Sequence, residues 1–283
     1  MDADASERAY RQAIACGITH VDFHPGIERD GVARVLADTD ASKLFLTTKI
    51  RKPPVGATPA DAAKMVRVQL EEDLSRLGVP RVDMLMLRDS PAPEVMQAQW
   101  AEVERAKASG LTRSVGVVNY CERSLGCILQ TAKEAPAINY YMLHVGMGAD
   151  AGGLRTYCDS RGIKTFAYGA LGEPAPSAEL LSSEELRKIG AEHGGRSAEE
   201  VALRWVLQSG AACSVRPTTS FGLGFSVCDA GAACAAGLRA RSAAFGWSLT
   251  AAEMRQLSQM TSPAGNPTLF SSTGCPNSFF AAK

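Results

Sequence analysis

Seven short runs of apolar and β-branched residues punctuate the chain, at 18–24, 44–50, 82–88, 112–119, 137–143, 163–170 and 213–218. Each is too short for a helix and nearly continuous in hydrophobicity. That is the pattern of strands buried on both faces. Amphipathic stretches lie between them. In 61–77, Met65, Val66, Leu70, Leu74 and Leu77 make one apolar stripe. In 198–208, Val201, Leu203, Trp205, Val206 and Leu207 are set against Glu199, Glu200, Arg204 and Gln208. Ser197, with Glu200 three residues on, opens that helix as a capping box. Gly17, Gly78, Gly110 and Gly162 each stand between a helical stretch and a strand, where a left-handed C-cap is wanted.

Strand, helix, strand, helix with tight glycine-marked returns implies parallel crossovers. No Gly-rich phosphate fingerprint follows the first run, which argues against a doubly wound dinucleotide domain. The pattern therefore predicts an α/β fold, a (β/α)8 TIM-type barrel. The 283 residues suit one such domain, which typically takes about 250. The expected division is a barrel over 1–260 and an irregular tail over 261–283, where Pro263, Pro267 and Pro276 recur. The stretch 220–237 is rich in Gly and Ala and reads as a loop or weak helix. Only seven strands are predicted, and the chain opens with a helix near 4–16, so the barrel's first strand is missing from the pattern. Chemistry in such barrels sits at the C-terminal ends of the strands. Those ends carry Asp22, Lys49, Arg88, Asn119 and Tyr168.

Lys and Arg together number 30, as do Asp and Glu, so the formal net charge is zero. That balance argues against a nucleic-acid partner or an anionic membrane surface. No apolar stretch reaches the roughly 18 residues of a transmembrane helix, and residues 1–8 lack the apolar core of a secretion signal. The eight cysteines form no C-x-x-C pair and are scattered through apolar runs. They read as reduced, structural thiols of an intracellular, reducing compartment. His20, His144 and His193 have no clustered partners, so no metal is expected.

The segments GITHVDF, LFLTTKI, RLGVPRVDMLML, SGLTRSVGVVNY, PAINYYMLH, RGIKTFAYGALG, EEVALRWVLQSG and FGWSLTAAEM resemble, in order, blocks of the aldo-keto reductases. The resemblance spans about residues 6 to 260. It implies a (β/α)8 barrel that reduces carbonyls with NADPH. Members of that family open with a hairpin and a first strand, which are not seen here. Their tetrad is Asp, Tyr, Lys and His. The resemblance places the Asp at Asp22 and the Lys at Lys49, but Ile27 stands where the Tyr belongs and Arg88 where the His belongs. The Tyr is the proton donor of that chemistry, and Ile27 has no proton to give. A positioned acid is worth about 10²–10⁴ in rate.

The resemblance carries over to the cofactor positions as well. The Ser-Asn that holds the nicotinamide amide becomes Val118-Asn119, the Gln becomes Tyr140, and the stacking aromatic is kept as Tyr168. The Pro-Lys-Ser that meets the 2′-phosphate becomes Pro217-Thr218-Thr219, and the adenine pair becomes Ala240-Arg241. These changes predict weak NADP binding or none. The first expectation is therefore a non-catalytic structural or binding subunit, working with protein partners in a larger assembly. Asp22 and Lys49 then persist as a structural ion pair. The alternative is an NADP-dependent reductase with a remodelled proton donor. His24 is the candidate for that role, two residues after Asp22 on the same strand face. A third reading is an anion-binding module built from Lys49 and Arg88 with Asp22 as partial counter-ion, unless Asp89 or a loop acid neutralises Arg88.

Overall fold

The computed structural model describes residues 2–172, 177–215 and 232–272. Among these, seven strands form one sheet in chain order, with helices between them. That is the connectivity of a (β/α)8-type barrel lacking a strand, as the pattern predicts. By internal packing the chain divides into two units. One holds residues 2–139, 161–163 and 270–272, the other 140–160, 164–172, 177–215 and 232–269.

In the first unit the order is α1 (Ala3–Ala15), β1 (His20–Asp22), α2 (Ile27–Leu36), β2 (Phe45–Ile50), α3 (Pro59–Leu77), β3 (Val82–Arg88), α4 (Pro93–Ala108), β4 (Thr112–Val118) and α5 (Glu122–Leu129). The strands pair in parallel, β1 on β2, β2 on β3 and β3 on β4. Each helix packs on the next, α1 through α5. The longest helix shows why these stretches are helical. Thr58 caps α3 by accepting from the Asp61 N–H at 3.1 Å, Pro59 starts its first turn, and Gly78 closes it at φ 68°. Gly17, Gly110 and Gly162 also sit at positive φ, as the pattern requires. The run at 18–24 yields a strand of only three residues, because the chain turns at Pro25 and Gly26. Gly26 takes φ 105°, open to glycine alone at little cost, and Ile27 begins α2 directly after it.

A buried polar network joins α2, α3 and the end of β2. Arg29, 4% exposed, reaches Asp73 at 3.0 Å and Glu72 at 2.8 Å. Asp73 also accepts from the Thr48 hydroxyl at 3.1 Å. The Gln69 carboxamide accepts from the Arg51 N–H and donates to the Lys49 carbonyl, both at 2.9 Å. The backbone that presents Lys49 is therefore clamped on either side.

The second unit holds β5 (Ile138–Met142) from Tyr140 onward, with α6 (Leu154–Asp159), β6 (Lys164–Tyr168), α7 (Ser177–Ser182), α8 (Glu184–Glu192), α9 (Ala198–Gln208), β7 (Ala212–Cys213), α10 (Ala232–Ser242) and α11 (Ala251–Ser258). The capping box expected at Ser197 and Glu200 is present, and Thr250 with Glu253 makes another on α11. The strand expected over 213–218 is instead β7, two residues long and one residue earlier, with 214–215 already irregular and 216–218 outside the described residues. Of the stretch 220–237, residues 232–237 are helical, within α10, and the rest lie outside. Within the tail, 261–272 carries neither helix nor strand.

The packing between α8 and α9 leaves no space for a side chain at Gly190. A Cβ there would stand 2.0 Å from the Arg196 carbonyl oxygen, and the Arg196 N–H already donates to the Gly190 carbonyl at 2.8 Å. Gly190→Ala is expected to lower unfolding free energy by about 1–3 kcal/mol, as overpacking does. Urea denaturation checks this, and an unchanged midpoint would show that the backbone at Arg196 yields freely.

The thiols call for one correction. Cys16, Cys127, Cys158 and Cys213 carry thiols, but Cys121 is disulfide-bonded. It lies buried at the N-cap of α5. Sequence spacing carries no information on such pairing, because the fold alone decides which sulfurs meet.

Candidate functional site

Alternation along β1 puts His20 and Asp22 on one face, and register carries that face across the sheet. Asp22 is opposite Thr47 and Lys49 is opposite Met86, so Arg88, two residues on, shares the face at the end of β3. The structure thus brings together three residues that the sequence places at strand ends.

The Lys49 ammonium meets the Asp22 carboxylate. Lys49 is 1% exposed. Burial drives its pKa below the usual lysine range, Arg88 adds to that fall, and the charges of Asp22 and Glu28 oppose it. Asp22 is held from behind as well, since the Tyr10 hydroxyl of α1 donates to its carbonyl at 3.0 Å. Burial raises the Tyr10 pKa well above the ordinary tyrosine value, helped by Glu28 and Asp22, so this hydroxyl keeps its proton.

His24 lies just beyond the end of β1 and is exposed. Its Nδ1 and its backbone N–H both sit 2.8 Å from Oε2 of Glu28, in the first turn of α2. Burial works against the Glu28 charge. The hydrogen bonds and charge of His24 outweigh it, with help from Lys49, and hold the carboxyl down to about 2. A carboxyl depressed in the folded state stabilises the fold above its unfolded pKa, and loses that contribution as pH falls through the folded value. The melting-temperature difference between the natural protein and Glu28→Gln should therefore shrink between about pH 4.5 and pH 2. The effect is modest because the pair is partly solvated. A difference constant across that window would show that Glu28 is not the titrating partner.

Ile27 occupies the first turn of α2, 53% exposed. Asp89, the residue after Arg88, is fully buried. It accepts from the Ser271 hydroxyl and the Ser272 N–H, both at 2.6 Å, with Lys52 at 3.7 Å. Asn119 follows β4 at φ 60°, buried. Its neighbour Tyr120 is fixed by the Asn139 carboxamide, which donates to the Tyr120 carbonyl at 2.8 Å. In the second unit, the Tyr140 hydroxyl pairs with Ser214 at 2.5 Å, and the Tyr140 ring meets Tyr168 edge-on with centroids 5.1 Å apart. Sequence reasoning missed Glu28, Tyr10 and the Asp89 clamp. The four-residue spacing from His24 to Glu28 was the available signal for the first.

The family model described as aldo/keto reductase family matches residues 1–227. The chain is an aldo-keto reductase family member. An aldo-keto reductase of Mycobacterium leprae is 29% identical over 221 residues, 76% of this chain and 73% of that protein. An NADPH-dependent codeinone reductase of Papaver somniferum is 25% identical over 280 residues, 89% of this chain and 79% of that protein. Among solved structures, an aldo-keto reductase enzyme from a Medee basin deep-sea metagenome library superposes with a TM-score of 0.76 at 20% identity, covering 92% of this chain and 88% of that one.

In this aldo-keto reductase family member, the two positions expected to meet a nicotinamide hold Asn119 and Tyr168. Asn119 offers a buried carboxamide, and Tyr168 is a half-buried aromatic at a strand end. Arg241, expected at an adenine pocket, pairs with Glu199 at 2.6 Å, and 217–219 lie outside the described residues. Among the described residues no group of three His, Cys, Asp or Glu could hold a metal ion, and no helix is long and apolar enough to cross a membrane.

Proposed function

We propose that this chain is an NADP-dependent carbonyl reductase whose proton donor is rebuilt from His24 and Glu28. This replaces the non-catalytic subunit as the leading reading, since the family's named members are reductases. The observation that carries it is the buried Lys49–Asp22 pair, kept beside a carboxylate-imidazole dyad. A structural relic needs the ion pair but not the dyad.

Asn119 would hold the nicotinamide carboxamide, and the nicotinamide would supply the hydride when bound. Lys49, cationic beside Asp22, stabilises negative charge growing on the substrate oxygen. Glu28 holds the His24 ring by Nδ1, leaving Nε2 to deliver the proton to that oxygen. Ile27 takes no part.

The test is oxidation of NADPH by the purified protein with a panel of reactive aldehydes and quinones. Turnover on the order of 1 s⁻¹ or more is expected, with His24→Ala lowering kcat about 10²-fold. No turnover with any of the panel would overturn the proposal. That outcome would favour the second reading, a binding subunit, for which the exposed Ile27 in the acid's place speaks.

A further inference from the structure

We infer that His144 is an acid-sensitive latch, which on gaining a proton releases the segment 262–267 from the turn that follows β5. The turn and the segment meet closely at two glycines. A Cβ on Gly146 would stand 2.3 Å from the Pro263 carbonyl oxygen. One on Gly265 would stand 2.7 Å from both Nε2 of His144 and the Met147 sulfur. The Met142 N–H donates to the Pro267 carbonyl at 3.3 Å, which ties the segment to β5 itself. At its other end the Ser262 hydroxyl reaches Glu179 of α7. A contact this close leaves little room to hydrate a charge.

His144 is fully buried. Its Nδ1 lies 2.7 Å from the Val145 carbonyl oxygen, which can only accept, so Nδ1 carries the hydrogen of the neutral ring. Nε2 then holds a bare lone pair, and no described residue hydrogen-bonds it. A further proton must go there, against the Gly265 backbone and a thioether, which accepts weakly at best. An unpaired buried charge is costly, so the ring either stays neutral or reaches water. Burial accordingly holds its pKa below the ordinary histidine value, against the opposing pull of the Val145 carbonyl. Residues 261–269 contain no titratable side chain. Around the turn, Asp150 binds Thr156, Arg155 donates to the Ala149 and Ser209 carbonyls, and the Tyr168 ring meets Tyr140. Once the segment lifts, the hydrated ring regains an ordinary pKa of about 6.5 and binds the proton more readily. The closed state is therefore at full strength above about pH 6.5 and weakens as pH falls below it.

The test is amide hydrogen exchange of the full chain, read by mass spectrometry from about pH 7.5 to about pH 5, above the ordinary carboxylate range. Corrected for the chemical exchange rate, opening of 141–147 and 262–268 should grow below about pH 6.5, by up to about tenfold per pH unit. Helix α9 should stay closed throughout as the internal reference. His144→Asn keeps a donor for the Val145 carbonyl and cannot titrate, so its opening should not depend on pH. Glu179→Gln should keep the full slope. Exchange of the ring C2 hydrogen reads the ionisation of His144 in the natural protein, and its midpoint should follow the opening even if His144→Asn fails to fold. Opening that does not grow with acid, that spreads to α9, or that grows equally in His144→Asn overturns the inference. A slope lost in Glu179→Gln overturns it as well, by moving the trigger to α7.

Discussion

Arg29→Met is expected to destabilise the protein by about 3–5 kcal/mol, the cost of stripping one partner from a buried ion pair. Asp73 is 0% exposed, and Arg29 is the cation described against it. Thr48 and Gln69 donate to Asp73 as well, yet neither is charged. Without the guanidinium, a carboxylate remains in a low-dielectric layer, and water must enter or the group must take up a proton. The clamp on Lys49 runs through the same residues, since Gln69 touches both Asp73 and the Lys49 carbonyl. Urea unfolding followed by circular dichroism measures the effect. Adding Asp73→Asn to Arg29→Met should restore much of the loss, because the orphaned charge is then gone. A single-variant cost under about 1 kcal/mol would mean that Thr48 and Gln69 suffice for Asp73.

The second large effect is expected at Asp22. Asp22→Asn leaves the Lys49 ammonium buried without its nearest anion, and should also cost about 3–5 kcal/mol. Burial already pushes the Lys49 pKa down, and losing Asp22 pushes it further, so the lysine should shed its proton more readily. The double variant Asp22→Asn with Lys49→Met should regain most of the stability, since replacing a whole buried pair by groups of similar volume is often neutral or favourable. If the double variant were as unstable as the single, the pair's charge would not be what Asp22 serves. Both variants should lose reductase turnover, so stability and activity separate in the double variant alone.

The order of elements and their parallel pairing were legible because buried parallel strands advertise themselves as continuous apolar runs. Strand ends were harder to place. The run at 18–24 holds a three-residue strand because Pro25 and Gly26 turn the chain, and among the described residues 213–215 of the last run, Cys213 alone is strand. Asp22, Lys49 and Arg88 were legible as strand-end residues, and register puts them on one face. Glu28 was not, because an acid in the first turn of a helix reads equally well as a surface charge complementing the helix dipole. Tyr10 was hidden for a similar reason. A lone tyrosine on an N-terminal helix gives no sign that its hydroxyl reaches the Asp22 carbonyl. Asp89 was legible only as a neighbour of Arg88, and its contacts with Lys52, Ser271 and Ser272 come from segments that no sequence pattern links to it.

The clamp on Asp89 also bears on how the chain is made. Its hydroxyl and amide donors come from Ser271 and Ser272, 182 and 183 residues downstream. A ribosome adding 5–20 residues per second would expose Asp89 roughly 10–40 s before those partners emerge. The first unit therefore cannot finish its interior when its own N-terminal stretch leaves the exit tunnel. It must wait, with one acidic side chain still hydrated, until Ser271 and Ser272 have left the ribosome.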